Sequence, residues 1–546
     1  MSSKLKKENK VSFLQNILML MFSQVVIKLL GLIYRVVIVD VEGFGNTRNG
    51  YYSTGYQIYM ILLALSSMGI PNVVSKLVSE RIAKKDFIAA NRVFKFCFVI
   101  FGVLGIFFAL FLFFGAEFIA NSLLKADGVK YTLMALSPAL IVVPPTAVMR
   151  GYFTGLGSLK ATSTTLVIEQ FFNCVLSIGF VYACVGKDTA IMAAAGNLST
   201  SCACILAFLY LVFFFLRRKG EIKDDCLAQD IPTETKTRKD MVKTIFAISI
   251  PISFSSLISV LGSAIDTVTV SRGVQNAFAA LGETAQVLEE KAMELYGILQ
   301  KAETVTHLPL AISATFCTAI VPVISSAIAK NDVSEANRKI SSSFFINSLF
   351  IFPCMAGFFV LAEPILKLLY PSVPEGALVL ILLSISLPFS SMNYILNGIL
   401  YGIGKTYIPA IALIVGSVIK LGLNIWLVNI PSINIYGAVF STVLYNILIF
   451  VIELAVVKRS VKLQVDIKRC FVKPIFSSTV MGVAVFFVYK LCSALGNTVA
   501  TLTSVLAGVV VYGLLVLATK NLSREDLESL PMGNKLRGLL ERFKLI

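Results

Sequence analysis

The sequence predicts an all-α polytopic membrane protein of about fourteen transmembrane helices, built as two six-helix halves in parallel repeat followed by two C-terminal helices. Three observations carry that expectation. Apolar stretches of roughly 20 residues, the length a spanning helix needs, recur from Phe13 to Leu517. Hydrophobic residues make up 57% of the 546 and charged residues 14%, with mean hydropathy +0.83, a balance outside the ordinary soluble range. Two motifs also return at nearly one offset. Lipid cannot satisfy free backbone N–H and C=O groups, so spans are helices or a closed barrel, and uninterrupted apolar runs lack the alternation of a barrel.

The elements follow in order. Residues 1–12 form a basic cytoplasmic start (Lys4, Lys6, Lys7, Lys10), and the apolar run behind it is too long for a signal h-region, so the first helix is expected to stay. The N-terminal half, 13–216, holds spans at 13–39, 50–78, 93–115, 129–150, 160–184 and 190–216. A charged linker with Pro232 occupies 217–242. The C-terminal half, 243–458, holds spans at 243–271, 300–328, 341–362, 375–401, 406–429 and 435–457, with a short surface helix expected at Glu283–Tyr296. Helices thirteen and fourteen lie within 459–520, and 521–546 reads as a cytoplasmic amphipathic tail.

The repeat sets the symmetry. AKKDFIAANR at Ala83–Arg92 returns as AKNDVSEANR at Ala329–Arg338, and RGYFTGLG at Arg150–Gly157 returns as NGILYGIG at Asn397–Gly404, offsets of 246 and 247 residues. Both copies follow the second and fourth helices of their half. Six is even, so the halves enter the bilayer in one orientation, related by a pseudo-two-fold axis along the membrane normal. That arrangement places a substrate at the midplane between the halves, which is transporter architecture.

Charge agrees. Of the 48 lysines and arginines, 36 fall in alternate loops and both terminal segments, which puts both termini in the cytoplasm and explains the net charge of +17 without a nucleic-acid partner. The ten cysteines sit mostly in apolar runs without CxxC spacing and His307 is the one histidine, so neither a disulfide framework nor a metal site is expected. GILYGIGKTY resembles a phosphate-binding loop but has Ile399 where glycine is required. Neither an ATP-driven pump nor a hydrolase, and no cofactor, has support.

Intramembrane polar groups are the candidate site. Lys28 lies roughly 20 Å from either end of its helix, too deep to snorkel. Gln24, Lys28, Gly31 and Arg35, spaced 4, 3 and 4, share one face and read as cavity-lining, although Arg35 could instead reach outer headgroups. Ser255, Ser259, Gly262, Asp266 and Thr269 share a face of the seventh helix, where Asp266 could pair with Arg35 as an outer gate, or the stripe could serve packing. Glu169 reads as the one deep carboxylate, one turn before Asn173; the repeat matches Asn173 with Lys420, itself deep and followed one turn on by Asn424. Those four read as a coupling-ion site or as interhelical hydrogen bonds. Ser386, Ser390, Asn393 and Asn397 line another face, and Glu303 with His307 could relay protons.

KLLGLIYRVVI (Lys28–Ile38), GYYSTGYQIYMILLALSSMGIP (Gly50–Pro71), RGYFTGLG and NGILYGIG together resemble the polysaccharide transporter branch of the multidrug, oligosaccharidyl-lipid and polysaccharide exporter superfamily, in particular its stage V sporulation protein B group. The resemblance covers essentially the whole chain. It implies two lobes in a V shape, alternating access, and a multi-pass location in a bacterial cell membrane. It also implies an undecaprenyl-diphosphate saccharide as substrate, lipid II first among them, with Lys28 and Arg35 as the diphosphate-binding cations. Coupling to membrane potential, H+ or Na+, contact with membrane lipids, and association with cell-wall synthases go with it. A cation-coupled drug exporter of the sister branch and a non-transporting scaffold are the alternatives.

Overall fold

A computed structural model describes Ser23 and residues 26–229, 238–279, 282–329, 333–461 and 466–519, and among these it contains helices and no strand. In chain order they are α1 (26–40), α2 (Gly45–Leu63), α3 (Ile70–Ala83), α4 (Phe87–Phe118), α5 (Val129–Gly155), α6 (Leu159–Ala183), α7 (Thr189–Leu227) and α8 (Arg238–Ala279). They continue with α9 (Ala285–Ala329), α10 (Val333–Leu369), α11 (Ala377–Ser384), α12 (Leu387–Gly402), α13 (Tyr407–Leu427), α14 (Ile435–Val461), α15 (Lys473–Cys492) and α16 (Asn497–Ala518). Eleven segments among the described residues are long and apolar enough to cross a membrane, twelve if α11 and α12, bent by 42°, form one span. The count of fourteen is thus not reached on length and apolarity alone; α1 and α9 occupy the other two expected positions. The expected tail 521–546 and the part of the expected first span before Ser23 lie outside the described residues.

Apolar runs locate the helices, and polar residues end them. Asp86 Oδ1 accepts from Ala89 N at 2.9 Å and caps α4; Asp188 Oδ1 accepts from Ala190 N at 2.8 Å and caps α7. A π-helical turn, Ala64–Met68, joins α2 to α3 within one span. Two elements run on beyond the apolar stretches that announce them. The segment 283–296, expected as a separate surface helix, belongs to the 45-residue α9, and α7 continues to Leu227 through the first half of the expected linker, whose residues 230–237 lie outside the described residues. Hydropathy senses the bilayer, whereas a helix persists until capping or a breaker stops it.

The repeated motif acquires a physical meaning. Gly157 and Gly404 both adopt left-handed backbone, with φ of 81° and 79°, and both close a helix: Gly157 N donates to Thr154 O and Ser158 N to Phe153 O at 2.9 Å, while Gly404 N donates to Tyr401 O and Lys405 N to Leu400 O at 3.1 and 2.9 Å. The two earlier glycines admit a neighbouring helix. A Cβ at Gly151 would sit 2.7 Å from Pro71 O, and one at Gly155 2.8 Å from Val78 Cβ; at Gly398 and Gly402 it would meet Cys317 O at 2.8 Å and Ile324 Cβ at 2.8 Å. The G-x-x-x-G-x-G pattern is a close crossing followed by a cap, used twice.

The chain forms two compact units, Met1–Gly297 and Ile298–Ile546. In the first, Val74, Phe94, Val148, Phe153 and Leu211 belong to one apolar core. In the second, Ile324, Phe345, Leu396, Ile399 and Val457 belong to another, and α15 packs on α10 through Met481, Val485 and Leu361. The unit boundary lies inside α9, not at the 217–242 segment, because glycines seat α8 and the start of α9 on α2 and the turn after it. A Cβ at Gly69 would lie 2.3 Å from Ile252 Cγ2, at Gly50 1.9 Å from Met293 O, and at Gly297 1.9 Å from Asn46 O.

Candidate functional site

The first unit carries a run of polar and aromatic groups through its apolar interior. Tyr52, Tyr56 and Tyr59, at i, i+4 and i+7, occupy one face of α2. Arg35 of α1 lies against it: Nη1 donates to Ser53 Oγ at 3.3 Å, and the guanidinium stands 5.0 Å from the Tyr52 ring and 5.8 Å from that of Tyr56. The Tyr34 and Tyr52 hydroxyls are 3.3 Å apart. Further along, the Tyr59 hydroxyl reaches Cys204, whose thiol lies 3.9 Å from Glu169 Oε1, and Glu169 Oε2 accepts from Arg150 Nη2 at 2.6 Å.

These groups divide by charge. Arg150 and Glu169 neutralise each other. Arg35 has only neutral partners, a serine and tyrosines, and among the described residues no carboxylate pairs with it. Lys28, two turns earlier on the same helix, is exposed. Between them Gly31 lies beside α6, with Gln170 Nε2 3.6 Å from where a Cβ would be, an ordinary contact. The face of Lys28, Gly31 and Arg35 therefore presents two cations without a carboxylate partner among the described residues; Gln24 lies outside them. Arg35 turns inward onto tyrosines rather than outward. Asp266 is buried on α8 and is not among the partners of Arg35, so the expected gate pair is not made here. The crossing that is closed joins α2 to the start of α9: Asn49 Nδ2 donates to Gly297 O at 2.9 Å, and Glu289 Oε1 accepts from Tyr51 Oη at 2.8 Å and from Gly128 N at 3.1 Å.

The Arg150–Glu169 pair escaped the sequence reading, which counted Arg150 with a cytoplasmic loop; it lies within α5, and its partner is nineteen residues away on α6. Removing one member strands a partly buried charge. Arg150→Ala is expected to lower stability by roughly 1–3 kcal/mol, less than for a fully buried pair because Glu169 is 32% exposed. Arg150→Ala/Glu169→Gln should recover most of that loss in thermal unfolding in detergent.

Asn173 Oδ1 accepts from Ser199 Oγ at 2.9 Å and Thr200 Oγ1 at 3.3 Å, tying α6 to α7. In the second unit Asn424 accepts from Ser441, tying α13 to α14 in the equivalent way. Lys420 is buried with its ammonium 5.3 Å from the Tyr445 ring. Asn393 Nδ2 donates to Asn446 O at 3.2 Å, whereas the Oδ1 atoms of Asn393 and Asn397 are buried without a donor among the described residues. Glu303 accepts from Gln300 at 2.8 Å, and His307 one turn on is exposed. A second carboxylate, Glu453 on α14 near the end of its expected span, is fully buried.

Known proteins share this architecture. Stage V sporulation protein B of Bacillus subtilis (strain 168) is 25% identical over 540 residues, 96% of this chain and 99% of its own length, and the lipid II flippase MurJ of the same organism is 26% identical over 475 residues, 84% and 85%. Among solved structures, a lipid II flippase MurJ in an inward closed conformation superposes with a TM-score of 0.67 at 16% identity, covering 92% of this chain and 98% of that one. An inward-facing multidrug transporter of the MATE family gives 0.65 at 14% identity, covering 80% and 94%. A MatE family model matches residues 290–426. The model described as Polysaccharide biosynthesis protein matches residues 13–328, more than half of the chain, and the protein belongs to that family.

Proposed function

We propose that the protein is a flippase that carries an undecaprenyl-diphosphate-linked saccharide, lipid II first among the candidates, from the inner to the outer leaflet by alternating access between its two repeated halves. The observation that carries this reading is the pair of cations without a carboxylate partner among the described residues, Lys28 and Arg35, on one face of α1. A diphosphate cannot cross hydrocarbon bare, and cations without carboxylate partners supply charge-assisted hydrogen bonds to it. The activity in the name of one relative, the lipid II flippase MurJ of Bacillus subtilis, supports the same class. Both termini are cytoplasmic by the distribution of lysine and arginine. Membrane potential, H+ or Na+ drives the cycle, and a cell-wall synthase receives the product.

The MatE match and the multidrug-transporter fold favour a second reading, export of a cationic drug. Such a site needs free carboxylates, and Glu169 already has its charge met by Arg150. Complementation of a bacterium depleted of its lipid II flippase tests the choice, with inward-facing lipid II as readout. Rescue is expected. Failure at normal expression, together with restored drug resistance in an exporter-deficient strain, would overturn the flippase reading.

A further inference from the structure

Glu453 lies on α14, about 12 Å from the helix end at Val461 where Lys458 and Arg459 sit. It is 0% exposed, and among the described residues neither carboxylate oxygen has a hydrogen-bond partner. The ionisable groups that reach it are Cys317 of α9 and Tyr401 of α12, both uncharged near neutral pH. Lys420 of α13 stands over Tyr445, two turns nearer the other end of α14, and Lys405 donates to Ser460 Oγ at 2.9 Å. Elsewhere on the helices of the second unit, α12 carries Tyr394, α13 carries Tyr407, α9 carries Lys301, Glu303 and His307, and α10 carries Glu335, Arg338, Lys339, Cys354 and the mutually paired Glu363 and Lys367; no cation among the described residues forms an ion pair with Glu453. The seam between α12 and α14 holds two further orphan acceptors, Asn393 Oδ1 and Asn397 Oδ1.

An ionised carboxylate in that position would carry a desolvation cost of several kcal/mol with nothing opposing it. The group is neutral only with a proton on one oxygen. Glutamine would fill the same space without the ability to change charge.

We propose that Glu453 is a proton-binding site of the second unit, protonated in the arrangement seen here and releasing its proton to water when α14 separates from α9 and α12. On release the O–H bond breaks, the proton passes to water, and the carboxylate is left hydrated; no electrons move. The coupling of this step to flux rests on the transport reading above, whereas the proton site does not.

The test uses the full-length protein in liposomes and the isosteric Glu453→Gln. Infrared spectra at neutral pH should show a protonated-carboxyl C=O band in the wild type that is lost in Glu453→Gln and kept, shifted, in Glu453→Asp. An identical band intensity in wild type and Glu453→Gln, or no such band in the wild type, overturns the proton site. Flux of a fluorescent lipid-linked saccharide should respond to an imposed pH gradient in the wild type and lose that response in Glu453→Gln. A variant as responsive as the wild type overturns the coupling. Absence of flux in both proteins overturns the flippase reading, while the infrared comparison still decides the proton site.

Discussion

Gly297→Leu is expected to abolish transport while leaving the protein inserted in the membrane. A Cβ at this position would sit 1.9 Å from Asn46 O and 2.8 Å from its carbonyl carbon, so the clash is with backbone and no rotamer change relieves it. Asn49 Nδ2 loses its acceptor at Gly297 O, and the nearby bond from Tyr51 to Glu289 is drawn apart with it. Overpacking costs roughly 1–3 kcal/mol where a site can adjust; here the crossing of α2 and α9 opens instead. Thr54 is fully buried beside Met293 of that crossing. A Thr54→Cys reporter should therefore react slowly with a membrane-impermeant maleimide in the parent and rapidly after Gly297→Leu. Normal flux with a protected reporter would show that this crossing does not take part in the cycle.

Arg35→Ala and Lys28→Ala are each expected to weaken flipping strongly with little change in accumulation. Among the described residues neither side chain neutralises a carboxylate, so deletion leaves no stranded charge there, in contrast to Arg150. Each charge-assisted hydrogen bond to a phosphate is worth about 1.5–3 kcal/mol, which corresponds to roughly 10–150-fold in substrate affinity per cation. The double variant should fall below detection in the complementation assay. Arg35→Lys should retain part of the activity, since it keeps the charge and loses the planar fork. Full activity of Lys28→Ala with wild-type substrate affinity would remove the diphosphate assignment from α1.

Much of the fold was legible because a bilayer permits few solutions: an apolar run of the right length is a helix. The motif RGYFTGLG was visible as a repeat, but its three glycines acquire their roles only from Pro71, Val78 and the turn at Gly157. The cationic face of α1 could be read from spacing along one helix. The tyrosines that hold Arg35 stand in a quoted segment at helical spacing, yet their contact joins α1 to α2, a distance no local periodicity reports. Arg150 was counted with a loop and Glu453 was passed over for one reason: both lie near the end of an apolar run, where a span boundary drawn by hydropathy cannot separate a buried group from a headgroup-level one.

The matched hydroxyl-to-amide bonds, Asn173 with Ser199 and Asn424 with Ser441, have a practical corollary for anyone following this protein through its cycle. Each clamps two neighbouring helices by a buried polar contact, so spin labels placed across α6 and α7, or across α13 and α14, should report one unchanging distance whatever ligand or gradient is applied. Such pairs furnish a built-in ruler: distances that vary while the ruler holds still belong to the moving parts.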